Sequence, residues 1–268
     1  MPPEIIVVDD PEDDRFAQFR LNERGLASRA DKRDDAGAGL FLAEGDLVVD
    51  RALDAGCLPV AALVDSQRVP DVASRFEAAG APVYAGGAVV RRVVSGLGMP
   101  QPIIALFHRP ARPSVAELAK RCRRLVVLEA VDNPANVGAI IRNAAGLGWD
   151  GLILDHTSAD PMARRSLRVA MGTVFALPHA RTTTLIDDIR ELDNVSLFAM
   201  TPNNDAAALE TIDPGARAAV LIGSERAGLS NELLALATPV RIPMGAGVDS
   251  LNAAAATAIA CWELRIRR

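Results

Sequence analysis

Five polar side chains in the C-terminal half, Asn136, Arg142, Glu225, Ser250 and Asn252, are of the types that could act together on one ligand. They lie in three glycine-punctuated segments, DNPANVGAIIRNAAGLG from Asp132, LIGSERAGL from Leu221 and IPMGAGVDSLNAAAA from Ile242. Each segment joins an apolar run that reads as a strand to a polar turn, and the first and third continue into helix-like runs. Amide, guanidinium, carboxylate and hydroxyl groups are thereby delivered to strand ends, where α/β proteins bind ligands. A binding site is implied.

Each group also has a plainer reading. Asn136 falls where a strand hands over to a helix, so it either caps that helix or holds a ligand loop. Arg142 follows six residues later in the same helix, within two turns of its start, so one turn-and-helix can aim both toward one site. A mid-helix Arg is ordinarily solvated, but Val137, Ile140, Ile141, Ala144 and Ala145 around it are expected inside, which favours a fixed guanidinium. Glu225 comes just after Gly223, where a tight turn places the carboxylate at the sheet's edge, as a turn stabiliser or as a site group. Ser250, Leu251 and Asn252 close the third loop and open the last helix, where a Ser usually serves as N-cap.

The elements that must position these groups follow from periodicity. Ile5 to Val8 reads as a strand and Arg15 to Glu23 as a helix. From Leu40 to Phe107, strand-like and helix-like runs alternate, giving a small α/β unit over residues 1–108. Arg109 to Ser114 holds two prolines and no periodic pattern, so a linker is placed at 109–118, its end overlapping a helix from Val115 to Cys122. The second domain, 119–268, takes strands at Arg124 to Val131, Gly151 to Leu154, Val174 to Leu177, Val195 to Met200, Ala218 to Ile222 and Val240 to Ile242. Its helices fall at Val137 to Leu147, Leu185 to Leu192, Glu232 to Ala237 and Leu251 to Arg265.

Half of the 268 residues are apolar, enough for a substantial core. No apolar run is long enough to span a membrane, and the N-terminus lacks the basic region and apolar core of a secretory signal, so the expected location is the cytoplasm. Cys57, Cys122 and Cys261 are scattered, as are His108, His156 and His179, which argues against a disulfide framework and against a metal site. The net charge of −5 is unevenly spread. Residues 1–108 hold 11 basic and 17 acidic side chains and residues 109–268 hold 18 and 17, so the parts carry −6 and +1. Six acids between Glu4 and Asp14 are followed closely by Arg15, Arg20, Arg24, Arg29, Lys32 and Arg33, either a basic patch for phosphates or a solvated helix face. A dinucleotide-dependent oxidoreductase would need Gly-x-Gly-x-x-Gly after the first strand of an α/β unit, and no such fingerprint occurs.

Together and in this order, the three segments resemble the signature motifs of the SpoU-type (TrmH-like) ribose 2′-O-methyltransferases of the SPOUT class. The resemblance is strong over about residues 120 to 267 and looser before them. It implies an α/β fold with a C-terminal parallel-sheet domain knotted as a trefoil, S-adenosylmethionine as cofactor, RNA as partner and a homodimer with each pocket near the partner. LFLAEGDLVVDRALDAG resembles the opening of the ribosomal-protein-like substrate-binding domain that precedes many such catalytic domains. Members with that domain often act on ribosomal RNA, which favours it over transfer RNA. Carried over position by position, the resemblance makes Asn136, Arg142, Glu225, Ser250 and Asn252 the catalytic set, and an ion pair between Glu225 and Arg142 is expected. It assigns Thr201, Leu221, Gly223, Ile242, Met244, Gly247, Leu251 and Ala253 to the cofactor, and Arg20, Arg29, Lys32, Arg33 and Glu44 to RNA. Ala254 and Ala170 stand where family members often carry Ser. Other readings are a non-catalytic RNA-binding or ribosome-assembly factor that kept the fold, and a methyltransferase directed at transfer RNA.

Overall fold

A computed structural model describes residues 5–27, 39–96, 99–245 and 248–266. The chain divides into two compact units, Met1–Ala111 with Met162–Phe175, and Arg112–Pro161 with Ala176–Arg268.

The first unit is built on β1 (Ile5–Val7), β2 (Leu40–Glu44), β3 (Pro59–Asp65), β4 (Val83–Gly86) and β5 (Ile103–His108), in the order β1-β4-β3-β5-β2. β4 runs parallel to β1 and β3, while β5 is antiparallel to both β3 and β2. Helices α1 (Glu23–Leu26), α2 (Asp46–Asp54), α3 (Ala73–Ala78) and α4 (Ala88–Ser95) accompany the sheet. Phe41 stacks on Phe107 with ring centroids 5.2 Å apart, and Phe76 closes on Phe107 at 5.5 Å. The pattern of Arg15 to Glu23 predicts one helix. The chain instead makes a 3-10 turn at Asp14–Phe16 and the separate α1, because the Asn22 side chain accepts from the Gly25 N–H and starts a new helix there. Phe16 and Phe19 still reach the core, edge to face at 6.1 Å.

The segment 162–175, expected in the second domain, belongs to the first unit and carries α7 (Arg164–Val169). Its attachment is physical. The Arg164 guanidinium Nε donates to Glu44 at 2.6 Å and another of its nitrogens to the Ser95 carbonyl at 2.8 Å, and Phe175 lies 5.6 Å from Phe41.

The second unit holds a wholly parallel sheet: β6 (Arg124–Leu128), β7 (Gly151–Asp155), β8 (His179–Thr182), β9 (Ser196–Met200), β10 (Ala207–Ala208), β11 (Ala218–Ile222) and β12 (Thr238–Arg241), ordered β10-β12-β9-β11-β6-β7-β8. The helices are α5 (Val115–Arg121), α6 (Pro134–Gly146), α8 (Leu185–Arg190), α9 (Asn231–Leu236) and α10 (Ala253–Glu263). Buried residues of α5, α8 and α9 form one core with Leu125, Val127, Ile153 and Leu221. α6 and α10 pack on each other. Val174–Leu177 is not a strand: Thr173–Ala176 is a 3-10 turn, and the strand follows as β8. β6 also stops three residues before Val131, since Ala130 turns to φ +54°.

α10 is fastened along its length. Asn143 donates to the Ala254 carbonyl at 3.2 Å, the Trp149 indole N–H to the Cys261 carbonyl at 2.9 Å, and Arg124 Nε to the Leu264 carbonyl at 2.7 Å. The buried Arg124 guanidinium also reaches the carbonyls of Gly215, Ala216 and Arg123. All three cysteines are buried and unpaired, and burial pushes the Cys57 and Cys122 thiols up to about 11. Among the described residues no cluster of His, Cys, Asp or Glu could hold a metal, and no helix is long and apolar enough to cross a membrane.

Candidate active site

Because β12, β9, β11 and β6 are parallel neighbours, their C-terminal ends share one edge of the sheet, the edge where open α/β sheets bind ligands. A cavity of about 580 Å³ opens there, within the range of small-molecule sites. Of the residues expected to hold a cofactor, Thr201, Gly223, Ile242, Met244, Leu251 and Ala253 line it, together with Ser250, Glu225 and Asn252. Leu221 does not. Side chains alternate along a strand, so Leu221 points into the α5–α8–α9 core while Ile222 lines the cavity. Gly247 lies outside the described residues.

Gly223 is required by shape. A Cβ there would stand 2.1 Å from the Gly228 carbonyl carbon and 2.3 Å from the Leu229 nitrogen, because the loop folds back through paired Ser224 and Gly228 backbone bonds. Met200, Ser224, Arg226 and Leu229 also line the cavity and were not singled out from sequence. The last three lie inside the LIGSERAGL segment and Met200 ends β9, so position in a motif or at a strand end was the available signal.

Three site residues meet at the cavity's rim. Asn136 Nδ2 donates to Glu225 Oε1 at 2.7 Å, and Asn252 Nδ2 donates to the same oxygen at 2.8 Å and to Asn136 Oδ1 at 3.0 Å. One carboxylate oxygen is thus held by two amides, and its charge is fixed without a cation. Asn136 is 7 % exposed and lies inside the first turn of α6, whose cap is Asn133, accepting from the Ala135 N–H at 2.9 Å with Pro134 at the first position. The cap of α10 is Asn252 rather than Ser250, with Oδ1 accepting from the N–H groups of Ala254 and Ala255.

Arg142 does not join this cluster, and the expected ion pair with Glu225 is not formed: among the described residues its guanidinium has no hydrogen-bonding or ionic partner. Helical geometry explains it. Six residues at about 100° each carry the side chain roughly 120° around the helix from Asn136, from the buried face onto the exposed one. Flanking apolar residues faced inward without taking Arg142 with them.

In the first unit, the buried Glu44 carboxylate is paired with Arg164 and lies 3.8 Å from Arg168, so it is a structural anchor here and not a surface offered to RNA. Arg20 donates to the carbonyls of Pro11 at 2.6 Å and Asp13 at 3.3 Å, holding the turn before it. Arg29, Lys32 and Arg33 lie outside the described residues.

A parallel α/β sheet with an amide-held carboxylate beside a cavity of small-molecule size defines a ligand-binding protein of the α/β class. Residues 123–262 match the family model "SpoU rRNA Methylase family", and the chain belongs to that family. An uncharacterized tRNA/rRNA methyltransferase of Mycobacterium tuberculosis is 37 % identical over 95 % of this chain and 89 % of its own length. The 23S rRNA (guanosine(2553)-2′-O)-methyltransferase RlmP of Bacillus subtilis is 29 % identical, covering 87 % of this chain and 92 % of its own. Among solved structures, the AdoMet-bound rRNA methyltransferase of Sinorhizobium meliloti superposes with a TM-score of 0.82 at 29 % identity over 97 % of each chain.

Proposed function

We propose that this protein transfers a methyl group from S-adenosylmethionine to a ribose 2′-hydroxyl of structured RNA, with 23S-type ribosomal RNA favoured over transfer RNA. The observation that carries the proposal is the Asn136–Glu225–Asn252 cluster on the rim of a cavity shaped by backbone loops. The chain is an S-adenosylmethionine-dependent methyltransferase of its family, in keeping with its AdoMet-bound structural relative. The name of the Bacillus subtilis relative supports ribose 2′-oxygen as the acceptor and ribosomal RNA as the substrate.

The cavity fits the cofactor on its own terms. Gly223 lets the loop fold back on its own main chain to shape one wall, Ile242, Met244 and Leu251 offer apolar walls, and Thr201, Ser224 and Glu225 offer polar ones. When bound, the cofactor supplies an electrophilic methyl on a cationic sulfur. The chain's residues do the rest. Ile222 to Leu229, with Ile242, Met244, Ser250, Leu251 and Asn252, would hold it and exclude water, and the Glu225 carboxylate would offer a counter-charge to its cationic sulfur. The acceptor hydroxyl is a poor nucleophile at neutral pH, so the site must stabilise charge on the attacking oxygen as its proton leaves. Arg142 is the group given that role, as an electrostatic stabiliser and not as a base, because guanidinium resists deprotonation.

Arg142 faces away from its own cluster, which supports a homodimer in which it serves a neighbouring pocket. On α10 Ile259 and Trp262, and just beyond it Ile266, are 41, 54 and 39 % exposed, an apolar surface suited to a second copy, whereas Val137 and Ile141 are fully buried in the core. A trefoil knot that threads α10 through an earlier loop is part of the same proposal, and the three fastenings of α10 agree with it. The first unit is proposed to bind the RNA.

Incubating the protein with methyl-labelled cofactor and separated ribosomal and transfer RNAs tests the proposal. Label is expected in ribosomal RNA, and Arg142→Lys should lower turnover at least about a hundredfold while cofactor affinity persists. Full turnover in that variant would remove Arg142 from the chemistry. Cofactor binding without transfer to any RNA would favour an assembly factor.

A further inference from the structure

The loop from Ile222 to Ser230 carries Glu225 and much of the cavity wall, and both of its ends are held by one residue outside it. Glu129, just beyond β6, donates its backbone N–H to the Ile222 carbonyl at 3.0 Å, and its carboxylate Oε2 accepts from the Ser230 N–H at 2.6 Å. Ile222 is where β11 enters the loop, and Ser230 is the cap of α9 where the loop ends, its hydroxyl accepting from the Leu233 N–H. Within the loop, Ser224 and Gly228 pair their backbones at 3.0 and 3.2 Å.

Glu129 is itself firmly set. The next residue, Ala130, is held at φ +54° by donating its N–H to Asp155 Oδ1 at 3.0 Å, and Val131 donates to the Ser158 hydroxyl at 3.0 Å. Ser158 in turn donates to Asp155 at 2.5 Å. The turn that leads to Asn136 and the loop that carries Glu225 are therefore registered against each other at Glu129. The carboxylate lines no part of the cavity, so any influence it has on a ligand acts through the loop.

We propose that Glu129 is a positioning residue for the cofactor: it clamps the 222–230 loop in the shape that accepts S-adenosylmethionine and places Glu225 against Asn136 and Asn252. The inference rests on the cofactor reading above. A charged acceptor makes a stronger bond to an amide than a neutral one, and a shortened side chain cannot span the gap.

Three variants of the full chain test it: Glu129→Ala, Glu129→Asp and Glu129→Gln. Cofactor affinity is measured by calorimetry at 25 °C, and hydrogen exchange over 223–234 is followed without cofactor. Glu129→Ala and Glu129→Asp are expected to weaken affinity about tenfold, the equivalent of one charge-assisted hydrogen bond, and to speed exchange in that segment. Glu129→Gln keeps an acceptor for Ser230 and should stay within about threefold of wild type. A role in stability alone would lower melting temperatures yet leave affinity unchanged well below them. Affinity for Glu129→Ala within twofold of wild type, or equal losses in Glu129→Ala and Glu129→Gln, overturns the proposal. If Glu129→Ala does not fold, Glu129→Asp decides in its place. A wild-type protein that binds no cofactor would refute the cofactor reading, and the exchange contrast would still test the clamp.

Discussion

Replacing Gly223 with Ala should weaken cofactor binding about a hundredfold while leaving most of the protein folded. The added carbon would sit 2.1 Å from the carbonyl carbon and 2.2 Å from the carbonyl oxygen of Gly228. Carbon contacts settle at about 3.5 Å or more, so one strand of the loop must retreat by roughly 1.4 Å. Both obstructing groups are backbone, so no rotamer change relieves the clash. The retreat breaks the two Ser224–Gly228 hydrogen bonds, costing about 2 kcal/mol at roughly 1 kcal/mol each. In a protein of this size that lowers the melting temperature by about 4–8 °C. The effect on binding should be larger, since a misplacement of about 1 Å near a reacting centre costs on the order of a hundredfold, and the displaced residues line the cavity from Gly223 to Leu229. Calorimetric titration with S-adenosylmethionine beside a thermal melt reads both numbers. An affinity within twofold of wild type for Gly223→Ala would show that the ligand does not lie where the loop folds back.

Three further outcomes are expected. Asn252→Asp keeps the α10 cap but replaces a donor 2.8 Å from Glu225 with a second carboxylate, so turnover should fall about a hundredfold or more and partly recover as pH drops and the pair takes up a proton; a flat pH response would contradict this. Arg124→Met strips four backbone carbonyls of their shared donor, the Leu264 carbonyl at the end of α10 included, and should cost about 3 kcal/mol, read as a melting temperature lower by about 6–12 °C; an unchanged melt would show that α10 does not depend on it. The Asp155 carboxyl is held below its ordinary 3.8 because the bonds from Ser158, Thr157 and Ala130 outweigh the cost of burial. Its stabilising effect is therefore full above that value and lost as pH falls through the lower folded one, so the urea midpoint of wild type should exceed that of Asp155→Asn at pH 7 and converge with it in strong acid; a constant gap would rule out the charge as the cause.

How far the sequence could be read depended on the range of the forces involved. The strands of the parallel sheet announce themselves as short apolar runs, and Gly223, Asn136, Glu225 and Asn252 sit where chain direction changes, so their convergence follows from parallel strands sharing an edge. The partner of Arg142 was misjudged because flanking Ile and Val residues report which face of α6 is buried, not where an intervening side chain turns. Glu44 was assigned to RNA by resemblance alone. Its partner Arg164 is 120 residues away in a segment that leaves the second unit to pack in the first, a long-range ion pair with no local trace. Glu129, read as an ordinary residue within the expected strand Arg124 to Val131, was passed over for the same reason: its mate, Ser230, lies 101 positions along the chain.

The most direct measurement is the chemistry of the product itself. RNA modified by this protein should be subjected to alkaline hydrolysis, in which each phosphodiester is cut by its neighbouring 2′-hydroxyl. If the methyl group is placed on a ribose 2′-oxygen, one linkage in 23S-type ribosomal RNA becomes resistant and all labelled methyl is recovered in the dinucleotide that spans it. Label released in a mononucleotide, from a methylated base, would contradict the account at its centre.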